Sequence, residues 1–223
     1  MAERPIFIPT PNSPRLVREV FLQLTWHTGF AAVQKTRNNK ALHAAANAAG
    51  FRNLLEVSTK SDQQLGQQLS AFNLKVEIKA LGDVPLECAF QGSKVFEHGG
   101  PFTDLYQREP REAKRDPRLN QSGQLIGFRF GGLDFPLEPK TVFYDWLYLS
   151  CIYRQRELTA ELDQYGGFSD IEFNPQRSIN CQARSLALFL SLTKRGQLDG
   201  AMQSAPDFIR IILNSAYRPR LRS

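Results

Sequence analysis

Glu87, Phe90, Gln91 and Lys94 fall at i, i+3, i+4 and i+7, the spacing of one stripe along a helix. A carboxylate, a ring, an amide and an ammonium on one stripe do not make a core face. The neighbouring stripe of Ala89, Gly92, Ser93 and Phe96 is small or apolar and suits close packing. The pattern therefore predicts a helix that buries its small side and turns an acid and a base toward a cleft. Pro85 suits the first helical position, with Val84 held extended before it, and Glu87 then lies in the first turn, where the helix dipole favours a carboxylate. Seven residues of helical rise put Lys94 about 10 Å further along the axis, a span that fits a bound substrate better than a direct ion pair. The plainer alternative is a solvated helix with both charges on the surface.

Other residue types could join that chemistry. Asp145, in an expected helix over 140–153, is a second carboxylate, or simply a first-turn charge. Beside it, Tyr144 and Trp146 offer rings for packing or for stacking on a base. Asn180 opens an expected helix over 179–195 and either caps it or meets a ligand. Arg184, four residues on, would be a surface group or a phosphate contact. Arg111, Lys114, Arg115 and Arg118 repeat the i, i+3, i+4, i+7 spacing with cations alone, which makes either a solvated face or a row of phosphate contacts. Arg218, Arg220 and Arg222 add a basic tail, within a net charge of +6 that leans toward a polyanionic partner.

Composition narrows the class. A chain of 223 residues with 42% hydrophobic and 22% charged residues has the make-up of an ordinary globular protein. The longest apolar stretch, around Leu186 to Leu192, is too short to span a bilayer, and no charged-then-apolar leader opens the sequence, so a cytoplasmic protein without a membrane partner is expected. Cys88, Cys151 and Cys181 lack CxxC spacing, and His27, His43 and His98 are scattered. Buried thiols, no metal and no cofactor are the expectation.

The elements that must position these groups read as strands over 4–9 and 16–26, a helix over 31–49, a short strand at 54–57 and a helix opened by a capping-box pattern at Ser61–Gln64. A strand at 74–80 leads into the Glu87 helix. A basic helix over 109–116, a strand over 125–130, and helices over 140–153, 155–164, 179–195 and 206–216 follow. Strands early and helices late predict an α+β fold.

Glu87-x-x-Phe90-Gln91-x-x-Lys94, preceded by a strand and by Leu69-Ser70-Ala71-Phe72-Asn73, resembles the signature of the NADAR family. Pro110-Arg-Glu-Ala-Lys114, Asp145 and Asn180 with Arg184 are similar to further, looser family segments, so that the likeness covers roughly residues 65–195. The whole chain, with Ile6-Phe-Ile-Pro9 and Leu55-Glu-Val-Ser-Thr-Lys60, looks like the longer subfamily found with DarT-type DNA ADP-ribosyltransferase toxins. Two departures touch the substrate's far side: Phe72-Asn73-Leu74 replaces an aromatic-rich segment, and an extra N-terminal stretch comes first.

The resemblance implies a mainly helical NADAR-like domain over 65–223, with a small α+β lobe over 1–64 packed on it. It implies an N-glycosidase that removes ADP-ribose from guanine in ADP-ribosylated DNA and so acts as antitoxin to its cognate toxin. Glu87, Lys94 and Asp145 would be catalytic. Ser70, Phe72, Asn73, Phe90, Gln91, Tyr144, Trp146, Asn180 and Arg184 would bind substrate, and Arg111, Lys114 and Arg115 the nucleic acid. Two roles stay open for Lys94: to stabilise a diphosphate or oxyanion as a cation, or to attack an opened ribose aldehyde as a neutral amine. Free nucleotides or riboflavin-pathway intermediates are the alternative substrates, and a non-catalytic module that binds ADP-ribose or the toxin is the alternative class.

Overall fold

A computed structural model of the protein describes residues 1–29 and 32–218. Its first strand, β1 (Ala2–Thr10), pairs antiparallel with β2 (Leu16–Leu24) along its whole length, from Ala2 opposite Leu24 to Thr10 opposite Leu16. Helix α1 (Ala32–Ala48), strand β3 (Leu54–Glu56) and the short helix α2 (Gln64–Gln68) follow. A hairpin of β4 (Lys75–Ile78) and β5 (Gly82–Pro85) leads into helix α3 (Leu86–Gly92) and strand β6 (Lys94–Phe96). A 3-10 turn at Thr103–Gln107 precedes α4 (Pro110–Lys114) and α5 (Arg118–Gln121). A second hairpin, β7 (Leu125–Phe130) and β8 (Leu133–Phe135), pairs with β6.

The remainder is mostly helical: α6 (Val142–Tyr153), α7 (Arg156–Thr159), the three-residue strand β9 (Gly167–Ser169), α8 (Gln182–Lys194), α9 (Leu198–Ala201) and α10 (Ala205–Leu213). The fold is α+β, as the order of patterns predicts. The expected helix over 155–164 is instead α7 followed by a separate 3-10 turn at Leu162–Gln164. The expected short helix after Ser61 forms as α2, but Ser61 is not its cap: Gln63 holds that place, and Ser61 Oγ instead accepts the Gln63 N–H at 3.2 Å.

Successive side chains of a strand point to opposite faces, so Ile6 and Phe7 of β1 enter different layers. Ile6 packs with Leu22, Leu24 and with Leu42 and Ala46 of α1; Phe7 joins the larger core that includes Leu186 and Leu190 of α8. The first sheet thus lies between α1 and α8. Its strand order is β2-β1-β9-β3, with β9 antiparallel to β1 and parallel to β3. A strand from the C-terminal half therefore completes the N-terminal sheet, and the expected lobe boundary at residue 64 is bridged by main-chain pairing.

Behind β9 lies a buried acid pair. Glu56 accepts hydrogen bonds from Ser58 Oγ (2.6 Å), Ser169 Oγ (2.5 Å) and the Ile171 N–H (2.8 Å). Burial raises its pKa, and burial together with the Glu56 charge raises that of Asp170 well above the usual carboxylate value. The folded chain binds protons here more readily than the unfolded chain. The pair's contribution is thus fully present below the unfolded carboxylate range near pH 4 and is lost as pH rises through the raised folded values. Glu56→Gln, which removes one charge at constant shape, is expected to flatten that decline between about pH 5 and about pH 7.5. Urea-unfolding midpoints at the two pH values check it; parallel declines in both proteins would contradict it.

Candidate active site

Pro85 ends β5 and serves as the N-cap of α3, which begins at Leu86, one residue later than the sequence predicts. Glu87 lies in the first turn, half-buried, with its Oε1 accepting from Gln91 Nε2 at 2.8 Å. The helix stops after Gly92, where a Cβ would come within 2.6 Å of the Tyr106 ring. Ser93 closes the turn: its Oγ donates to Ala89 O at 2.7 Å and sits 2.9 Å from the Tyr106 hydroxyl. The chain then runs out as β6, with Lys94 opposite Phe128 of β7.

Lys94 is therefore a strand residue, not the i+7 member of a helical stripe, and this corrects the sequence expectation. Its side chain nonetheless folds back over the helix, with Nζ 5.2 Å from the centroid of the Phe90 ring. Burial lowers its pKa; the Glu87 carboxylate opposes the shift and the Lys114 charge adds to it. Glu87 and Lys94 thus share a local field.

The turn Ser70–Leu74 is joined to the start of α3 by a main-chain hydrogen bond. Tyr148 of α6 donates its hydroxyl to Leu69 O at 2.7 Å, Gln182 of α8 accepts the Ala71 N–H at 2.6 Å, and Leu86 of α3 donates its N–H to Leu74 O at 3.0 Å. Three helices hold this turn in place. On it, Ser70 is buried, Phe72 is 45% exposed, and Asn73 is exposed with its amide donating to Gln67 O at 2.7 Å. Gln182 and Tyr148 were missed by sequence reasoning. A glutamine opening an otherwise small and apolar helix was the available signal for the first; Tyr148 is indistinguishable from a core ring until the chain is folded.

Asn180 precedes α8 but is not its cap, which is Cys181. Tyr144 of α6 is buried, and its hydroxyl has a pKa raised well above the usual value by burial, with the charges of Tyr148, Glu87, Cys181 and Asp170 adding to the shift. Eight buried side-chain N or O atoms among the described residues lack a partner within the protein. Ser70 Oγ, Gln91 Oε1, Asn180 Oδ1 and Arg184 Nε are four of them, all at positions that the sequence singles out for substrate. Buried polar atoms are ordinarily paired, so these four are exceptions to the usual rule.

Other expected site residues lie elsewhere. Phe90 is a core ring, between Phe128 (5.5 Å), Phe143 (6.0 Å) and Tyr144 (5.4 Å), with Lys94 Nζ over it. Trp146 packs on Phe135 (5.0 Å) and Phe130 (5.9 Å) of the second hairpin. Asp145 is fully buried and accepts from the hydroxyls of Thr141 (2.6 Å), Ser185 (2.6 Å) and Tyr217 (3.1 Å). Burial pushes its pKa up, while the Arg184 charge and these hydroxyls pull it back. In place of a second carboxylate facing substrate, the fold has one that clasps α6, α8 and the C-terminal segment. Arg184 is not a surface group: it is buried, with Nη1 3.4 Å from Glu19 and Nη2 donating to Ile179 O.

The basic stripe is also divided. Ala113 of α4 is buried against α3, leaving Arg111, Lys114 and Arg115 exposed beside the site. Pro117 breaks the helix, and Arg118 turns to Asp104 (2.7 Å) and Asp116 (2.8 Å), which neutralise it. Of the basic tail, Arg218 is exposed, whereas Arg220 and Arg222 lie outside the described residues. No helix among the described residues is long and apolar enough to cross a membrane.

No curated protein matches the chain. A family model does, over residues 2–220, which is nearly its whole length and includes the N-terminal strands as well as Glu87 and Lys94. The chain belongs to the family of DarT1-associated NADAR antitoxins.

Proposed function

We propose that the protein is an N-glycosidase that hydrolyses the bond between guanine and ADP-ribose in ADP-ribosylated DNA, reversing the product of its cognate DarT-type toxin. The observation that supports this most is the half-buried carboxylate Glu87 with the desolvated amine Lys94 in its field, the carboxylate held by Gln91, whose own Oε1 is buried and unpartnered. Cleavage of a C–N bond at an anomeric carbon develops positive charge on the sugar, which a fixed carboxylate stabilises. The bond's electron pair and a proton leave with guanine. Water supplies oxygen to the anomeric carbon, and its second proton passes through Glu87 to the departing guanine nitrogen, which restores the carboxylate. The Gln91 amide aims the Glu87 carboxylate, and Arg111, Lys114 and Arg115 are placed to meet the polymer's phosphates.

Lys94 serves as a cation toward the diphosphate or as an amine toward the opened ribose. Its depressed pKa enlarges the neutral fraction that the second role needs. Lys94→Ala is expected to lower turnover at least about 10-fold with the fold retained, since the half-buried side chain leaves no closed cavity behind. Borohydride added during turnover separates the roles: an ADP-ribose adduct on Lys94 marks the amine, and its absence the cation. Unaltered turnover in the variant would remove Lys94 from the mechanism.

A further inference from the structure

Between Glu19 and Glu56 the chain runs 36 residues without an acid, although it carries 22 in all, and the same stretch holds Lys35, Arg37, Lys40 and Arg52. Over residues 1–55 seven Lys and Arg stand against two Glu, so five of the six net positive charges fall in the N-terminal quarter. One of those two acids, Glu19, faces the buried Arg184 at 3.4 Å. Helix α1 carries three of the cations. Leu42 and Ala46 turn its apolar side to β1 and β2, and Asn38 and Asn39 are buried with them. Arg37 and Lys40, three residues apart, are exposed on the other side with Ala44 and Asn47. Lys35 is bonded to Glu172, but Arg37, Lys40 and Arg52 have no ion pair among the described residues. The charges also run against the helix's own dipole, with no acid in the first turn and no basic residue in the last. No acid lies anywhere in α1 to offset them four residues away. The stability of the helix does not account for these cations.

We propose that this outer face of α1, with Arg37 and Lys40 at its centre, binds the phosphate backbone of the DNA beside the modified guanine. This rests on the N-glycosidase reading and adds a second place, apart from Arg111, Lys114 and Arg115, where the polymer is held. The complement of a basic face without acids is a polyanion, and the short side chains of Ala44, Asn47 and Ala48 let a backbone come close to the helix. One segment of chain, 170–181, ties this face to the site. Near its start Glu172 is bonded by Lys35 and, at 3.2 Å, by Thr59 Oγ1; just past its end Gln182 accepts the Ala71 N–H at 2.6 Å. Arg177, exposed and without an ion pair among the described residues, stands on that segment. An acidic face of the toxin is the competing occupant. DNA is favoured because Val33 is the one large hydrophobic side chain exposed on α1 among the described residues, whereas protein interfaces are built round an apolar centre.

The test uses the full chain, an Arg37→Gln/Lys40→Gln variant, and an Arg154→Gln/Arg156→Gln variant that loses the same charge from two exposed arginines already paired with Glu77 and Asp199. Glutamine keeps the helix propensity of the residues it replaces. Fluorescence anisotropy follows binding of a labelled, unmodified oligonucleotide over a range of salt, a readout that needs no turnover. Each phosphate contact contributes about 0.7–0.9 to the slope of log K against log[salt], so the α1 variant is expected to flatten the slope by about 1.4–1.8. The second variant is expected to leave it as it is. On an ADP-ribosylated oligonucleotide the α1 variant should raise KM while kcat holds. An unchanged slope in the α1 variant would overturn the proposal, and so would equal flattening in both variants, which marks net charge and not this face. A variant that keeps its affinity for DNA yet no longer captures purified toxin would give the face to the toxin and overturn it as well. Wild type that binds with the full slope but releases no ADP-ribose would sink the glycosidase reading and leave the α1 contact standing.

Discussion

Replacing Glu87 by Gln is expected to cut ADP-ribose release from modified DNA roughly 10²- to 10⁴-fold and to abolish protection against the toxin, with the fold intact. The substitution keeps an oxygen that can accept from Gln91 Nε2, so the local hydrogen bond survives. It removes the negative charge that a developing sugar cation requires and the group that takes a proton from water. Because Glu87 is half-exposed at a helix start, no buried partner is orphaned and thermal stability should move little. Protection retained by a folded Glu87→Gln protein would instead make it a module that sequesters modified DNA or the toxin.

Asp145→Ala is expected to have the opposite profile: a loss of about 3–5 kcal/mol of stability, with activity falling only as the folded fraction falls. Removing this carboxylate leaves the hydroxyls of Thr141, Ser185 and Tyr217 without their shared acceptor and takes a compensating charge from buried Arg184. Three segments of chain come apart at one point. Urea unfolding measures the loss, and single-turnover rates on the folded fraction separate it from chemistry. A variant of near-native stability that cannot cleave would return Asp145 to the catalytic group.

Much of this arrangement is legible before folding, and the exceptions have a common cause. The hairpin of β1 and β2 follows from alternation that places Leu22 and Leu24 inward and Gln23 outward, and α6 and α8 follow from long apolar patterns. Glu87 and Gln91 fall on one face because four residues of α3 separate them, a purely local fact. Lys94 fits the same local period, yet it belongs to a strand, because Gly92 meets Tyr106 and the Arg129 N–H bonds Ser93 O at 2.7 Å. Such partners are distant in sequence, and no periodicity records them. The same holds for β9, three residues long and defined by neighbours more than a hundred residues away, and for Arg184, a cation at helical spacing whose burial depends on Glu19. Asp145 was legible as a charge in a first helical turn but not as a buried clasp, since its hydroxyl donors come from three segments.

The most direct measurement incubates the full-length protein with an oligonucleotide bearing ADP-ribose on a single guanine and follows both products by mass. Free ADP-ribose and the original unmodified strand are expected in equal amounts, with Glu87→Gln inactive beside it. An ADP-ribosylated strand left unchanged by active, folded protein, or an abasic strand with ADP-ribose still joined to guanine, would contradict it.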